Sequence, residues 1–111
     1  MIFVTGPLFS GKEETIKKLL GWDDRTFAEN GLRDAEDLVK DREDLEVLAD
    51  ELAQKQVVIA SEVGGGVVPV DREERRNREA AGRLAVLLAR RADTVVRVFC
   101  GIPTVLKGEL S

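Results

Sequence analysis

Three short β-branched apolar runs mark the chain, and stretches of helical apolar spacing separate them. Ile2-Phe3-Val4-Thr5 reads as a buried strand entering a glycine-bounded loop, and Glu13 to Leu20 then carries Ile16, Leu19 and Leu20 at helical intervals. Gly21 is a helix stop. Trp22 to Asp34 has no period and holds the turn formers Asp23-Asp24 and Asn30-Gly31, so a loop is expected there. From Ala35 to Gln54 the positions Leu38, Leu45, Leu48 and Leu52 are helical in spacing, with the polar stretch Lys40 to Asp44 dividing the helix in two. Gln56 to Ser61 has the continuous apolar character of a parallel strand covered on both faces. A second glycine loop, Gly64 to Gly66, follows. Asp71 is placed to cap a helix reaching about Arg91, charged in its first half and carrying Ala80, Leu84, Leu87 and Leu88 on one face of its second. Thr94 to Phe99 is the third strand, after which Gly101-Ile102-Pro103 turns the chain into a short tail.

This alternation predicts a single α/β domain over residues 1–111, with a small parallel three-stranded sheet, right-handed crossovers and helices on both faces. Ligands of such sheets sit beyond the carboxyl ends of the strands, where both glycine loops fall.

Composition narrows the partners. With 21 acidic and 17 basic residues the net charge is −4, which disfavours a nucleic-acid partner. The apolar start Met1 to Val4 is too short for a signal segment, and no later run nears the ~18 residues of a membrane span, so a soluble, cytoplasmic protein is expected. The lone Cys100 forms neither an intrachain disulfide nor a multi-cysteine metal cluster. Histidine is absent, and with it the commonest general acid/base and any phosphohistidine intermediate.

Gly6-Pro7-Leu8-Phe9-Ser10-Gly11-Lys12 matches the phosphate-loop pattern G-x-x-x-x-G-K, in which loop N–H groups and a helix N-terminus face phosphates and the lysine neutralises the terminal ones. The next position, usually a hydroxyl ligand to Mg²⁺, is Glu13. A carboxylate there ligates the metal itself or sets a repelling charge beside the phosphates; the bland reading of the loop is a structural turn. Glu62, just past the second strand, is a candidate metal or water ligand, or else a loop carboxylate capping backbone N–H groups. The expected site therefore has Gly6, Pro7, Leu8, Phe9, Ser10, Gly11, Lys12 and Glu13 around a nucleoside triphosphate, GTP or ATP with Mg²⁺. Lys12 and Glu62 are its catalytic groups, and Glu13 and Glu62 its metal ligands on opposite sides of one pocket.

Glu62-Val63-Gly64 with Gly66, Val68 and Pro69, then Ala81-Gly82-Arg83-Leu84, then Gly101-Ile102-Pro103 with Leu106-Lys107, resembles the C-terminal half of the bifunctional adenosylcobinamide kinase/adenosylcobinamide-phosphate guanylyltransferase family of cobalamin biosynthesis. Gly6 to Lys12 resembles that family's phosphate loop. The resemblance implies a P-loop, RecA-like sheet with the first strand central, flanked by Gln56 to Ser61 and Thr94 to Phe99. It also implies GTP or ATP binding, phosphoryl transfer to a corrinoid, and a homo-oligomer. Residues 21–55 do not match, and no apolar strand ending in aspartate is evident there, so the chain reads as a shortened, partly degenerate member. Its exposed edge beside Gln56 to Ser61 needs covering by Leu32 to Gln54 or by another subunit. The family's guanylyl transfer through a histidine has no nucleophile here. Three readings follow: a kinase-type phosphotransferase, a non-catalytic nucleotide- or corrinoid-binding relic with a regulatory or scaffold role, and a small scaffold whose degenerate loop binds nothing.

Other candidates carry bland readings beside functional ones. Arg72, Arg75, Arg76 and Arg78 form a phosphate-steering patch or a solvated helix face. Asp23 and Asp24 are metal oxygens or a turn, and Trp22 stacks on a ligand or folds back on the first helix.

Overall fold

The computed structural model describes residues 1–63 and 71–110; the second glycine loop, Gly64 to Gly66, and the motif residues Val68 and Pro69 lie outside the described residues. The apolar runs become β1 (Ile2–Gly6), β3 (Val57–Ser61) and β4 (Thr94–Phe99), with β2 (Gly31–Leu32) and β5 (Ile102–Lys107) outside them. The helices are α1 (Lys12–Leu20), α2 (Asp24–Asn30), α3 (Leu45–Leu52) and α4 (Arg72–Arg91), with a 3₁₀ turn at Ala35–Val39.

The sheet has the order β2-β3-β1-β4-β5, parallel except for β5, which runs antiparallel to β4. β1 is central, as expected, between β3 and β4. Register and pleat explain the two-sided core. Phe3 is paired with Val58 and Val95, and these face one side; Val4 is paired with Ile59 and Val96, and these face the other. On the first side the cluster is completed by Leu45, Leu48, Ala49 and Leu52 of α3 and Ala81, Leu84 and Leu88 of α4. Ile16 of α1 and Phe27 of α2 close the second.

The expected count of three strands is corrected to five. β2 is only two residues long, too short to show a period, yet Gly31 and Leu32 pair with Val57 and Val58 and cover the start of the β3 edge. β5 replaces the expected tail. Cys100 and Gly101 both have positive φ (52° and 73°), the two-residue hairpin turn whose twist suits antiparallel strands. All six β5 residues are exposed, and Pro103 is tolerated because β5 is an edge strand.

The expected loop at Trp22 to Asp34 is also corrected, since it contains α2. Asp23 Oδ1 accepts from the Thr26 amide at 2.7 Å and caps that helix, which buries Phe27. A Cβ on Gly31 would lie 2.6 Å from the Phe27 ring, so this residue permits close approach and is not a turn former. The division at Lys40 to Asp44 is observed, with Asp44 capping α3 through the Val47 amide at 3.1 Å. Asp71 likewise caps α4 through Glu73, whose charged first half is largely exposed. Arg91 of α4 ties down α3 through Asp50 at 2.7 Å and Glu46 at 2.5 Å. Among the described residues no helix is long and apolar enough to cross a membrane.

Candidate functional site

The loop from Gly6 to Gly11 leaves the carboxyl end of the central strand and enters α1, and its shape depends on backbone conformations that side chains resist. Gly6 has φ 150°, and a Cβ there would stand 2.2 Å from the Val98 carbonyl oxygen. Gly11 (φ 80°) and the fully exposed Phe9 (φ 58°) both take left-handed conformations. Gly11 is the N-cap of α1 and no side chain caps that helix, so its first amides face the loop without a side-chain acceptor at the cap. The Gly101 amide donates to the Ser10 carbonyl at 2.8 Å and the Glu62 amide to the Gly6 carbonyl at 2.8 Å, binding the loop to the ends of β4 and β3.

Two polar side chains are buried inside it. Lys12 Nζ donates to the Pro7 carbonyl at 2.7 Å, folding the ammonium back across the loop. Burial pushes the Lys12 pKa down, opposed by the negative charges of Glu36, Asp34 and Glu62. Ser10 Oγ is buried without a hydrogen-bond partner. A concavity of about 590 Å³ opens beside the loop, lined among others by Ser10, Lys12, Glu13, Arg33, Asp34 and Ser61.

Each expected metal carboxylate has an arginine. Glu13 pairs with Arg33 at 2.7 Å and reaches Lys17 at 3.8 Å, while the Arg33 guanidinium lies over the Phe27 ring, 5.3 Å from its centre. Glu62 accepts from Arg97 through both oxygens, at 2.6 and 3.1 Å. That pairing holds the Glu62 carboxyl below its usual range, with Lys12 adding a smaller pull. Glu36 Oε1 accepts from the Ser61 amide at 2.9 Å, which brings a third carboxylate to the end of β3. Among the described residues no group of three or more His, Cys, Asp or Glu is arranged to hold a metal ion by itself.

A family model described as cobinamide kinase / cobinamide phosphate guanyltransferase matches residues 16–106, well over half of the chain. The chain belongs to this family. Comparison with curated proteins finds no match. The family match runs from within α1 into β5 and so spans residues 21–55, correcting the expectation that they do not match; it takes in Arg33, Asp34, Glu36, Glu62 and Arg97, and Gly6 to Lys12 precede it.

Within this family member, the sequence-predicted residues Gly6, Pro7, Leu8, Phe9, Ser10, Gly11, Lys12 and Glu13 form one continuous loop and helix start, and Glu62 adjoins it. Leu8 and Phe9 are exposed at its tip. Sequence reasoning missed Arg33, Asp34 and Glu36, which follow a strand too short to be recognised, and Arg97, the single charge inside the apolar β4 run, which was a usable signal. Asp23 is a helix cap and Asp24 pairs with Lys17, so both have structural work. Trp22 packs against the Val4–Ile16 cluster. Arg72, Arg75 and Arg76 are exposed on the first half of α4.

Proposed function

We propose that this chain binds a purine nucleoside triphosphate, as its Mg²⁺ complex, at Gly6 to Glu13 and uses it for phosphoryl transfer of the cobinamide kinase type in cobalamin biosynthesis. The observation that carries this reading is Lys12: a buried ammonium beside an uncapped helix start, turned onto a carbonyl of its own loop, from which a phosphate oxygen would draw it by a stronger charge-assisted bond. Lys12 and the first amides of α1 would bind and orient the phosphates, and phosphoryl transfer relies mainly on such positioning and charge neutralisation.

The donor set suits magnesium, which takes one or two carboxylates and completes its shell from phosphates and water. Asp34 and Glu36, whose charge reaches Lys12, are the groups that would hold it, while Glu62 stays with Arg97; a bound Mg²⁺ would offset the charge with which they otherwise repel phosphate. Binding should therefore depend on the metal. Calorimetry on the full chain is expected to show heat with Mg·GTP or Mg·ATP and at least tenfold weaker binding in EDTA. No heat at millimolar nucleotide would remove this reading.

Guanylyl transfer through a histidine is excluded from the proposal, since the chain has none. Labelled GTP followed by denaturation should leave no covalent label, and a stable adduct would contradict this part. One observation favours a non-catalytic binding role instead: both Glu62 oxygens are held by Arg97. Turnover with a cobinamide acceptor separates the two. The exposed β5 edge, with Ile102, Val105 and Leu106, supports a homo-oligomer built on that strand.

A further inference from the structure

We propose that Arg33 is the second phosphate-binding cation of this site, and that Glu13 is the carboxylate that positions it rather than a metal ligand. The inference rests on the nucleotide-binding reading above. β2 runs parallel to β3 and pairs with its first two residues, so the chain leaves β2 heading toward the carboxyl end of the sheet, and Arg33 is the first residue beyond it. There it lines the same concavity as Ser10, Gly11 and Lys12, on the far side of the loop in sequence but next to Glu13 in space.

Its guanidinium is held on two sides. Glu13 takes Nε at 2.7 Å, and the Phe27 ring lies under the plane at 5.3 Å, on a side chain that is itself 2% exposed. The Glu13 contact engages Nε, and a guanidinium has four further N–H donors in a planar fork that fits two phosphate oxygens. An exposed ion pair alone is worth little, so the role of this arginine beside the concavity is sought in the donors it presents there.

Two further observations concern the lining of this concavity. Ser10, one of the lining residues, is 5% exposed and its Oγ is buried without a hydrogen-bond partner. Lys12 and Arg33 are the cations that line the concavity, against Glu13, Glu14 and Asp34, so a triphosphate bound there would draw on both. On this view the carboxylate at position 13, where the loop pattern has a hydroxyl, serves the arginine across from it.

The test is calorimetric titration of the full chain with Mg·ATP, using Arg33→Ala, Arg33→Lys, Glu13→Gln and the Arg33→Ala/Glu13→Gln double variant, with thermal midpoints as the folding control. Arg33→Ala is expected to weaken binding about tenfold or more, the scale of a hydrogen bond to a charged group, and Arg33→Lys to recover only part of that. Glu13→Gln should change affinity in the wild-type background and have no effect once Arg33 is gone, a coupling that a metal-ligand role for Glu13 does not produce. Wild-type affinity in Arg33→Ala, or additive effects in the double variant, would overturn the inference while leaving the nucleotide reading intact. Absence of binding by the wild-type chain would instead overturn that reading, and this inference with it.

Discussion

Lys12→Met is expected to weaken Mg·nucleotide binding by about a hundredfold, roughly 3 kcal/mol, the upper range for a hydrogen bond to a charged group, while leaving the fold as stable as before or slightly more so. The two effects separate because Lys12 is buried, with a backbone carbonyl as its hydrogen-bond partner and carboxylates acting only through their field. Its ammonium has been taken from water for modest compensation, and an apolar side chain of similar length avoids that cost. The pH dependence gives an independent check. Because burial lowers the folded-state pKa below 10.5, the unfolded chain holds more protons between the lowered value and 10.5. Stability owed to this residue therefore rises with pH across that window. Urea titrations through the alkaline range should show the rise in wild type and lose it in Lys12→Met. Equal nucleotide affinity in the two proteins would mean that the lysine does not meet phosphate.

Gly6→Ala should be the most damaging small substitution at the site, lowering unfolding free energy by about 3 to 4 kcal/mol, at the upper end of single-residue effects. Two constraints coincide at this residue. Its φ of 150° lies where residues with a Cβ are strained, and the added methyl would sit 2.2 Å from the Val98 carbonyl oxygen and 3.0 Å from Ser10 Oγ. The carbonyl does not yield cheaply, because Val98 belongs to β4 and its side chain is fully buried. Relief requires parting the end of β1 from β4, which would also spoil the loop. Gly21→Ala makes a useful control: φ is also positive, but nothing lies within 4 Å of the new methyl, so only the conformational cost of about 1 kcal/mol applies. Chemical denaturation with equal losses in the two variants would show that close packing at Gly6 is not what holds the loop.

Strands β1, β3 and β4 were legible because continuous β-branched runs such as Val57-Val58-Ile59 have one good physical explanation, burial on both faces of a parallel sheet. Asp44 and Asp71 were legible as helix starts for a similarly local reason, a carboxylate that accepts from its own next turn. β2 was not, since two residues hold no period, and its existence depends on Gly31 lying against the buried Phe27 ring, a contact across α2 that spacing does not announce. β5 was hidden by exposure: with neither face buried it has no alternation, and Pro103 argued for a turn. The same gap explains the site. Gly6 to Lys12 announced itself by pattern, whereas Arg33, Asp34 and Glu36 reach the loop only through the pairing of β2 with β3. The ion pairs Glu13–Arg33 and Glu62–Arg97 join residues 20 and 35 positions apart, and only the folded sheet edge brings them together.

The central claim, that nucleotide phosphates are held by the loop after β1, is tested most directly by amide chemical shifts of the full chain titrated with Mg²⁺ and a non-hydrolysable triphosphate. The largest shifts are expected at Ser10, Gly11, Lys12 and Glu13, with smaller ones at Arg33, Asp34 and Glu62, saturating together. A second concavity of about 530 Å³ between α3 and α4, lined among others by Glu43, Glu46, Arg83 and Arg90, supplies the internal control. Shifts confined to that groove, or none at millimolar nucleotide, would contradict the assignment.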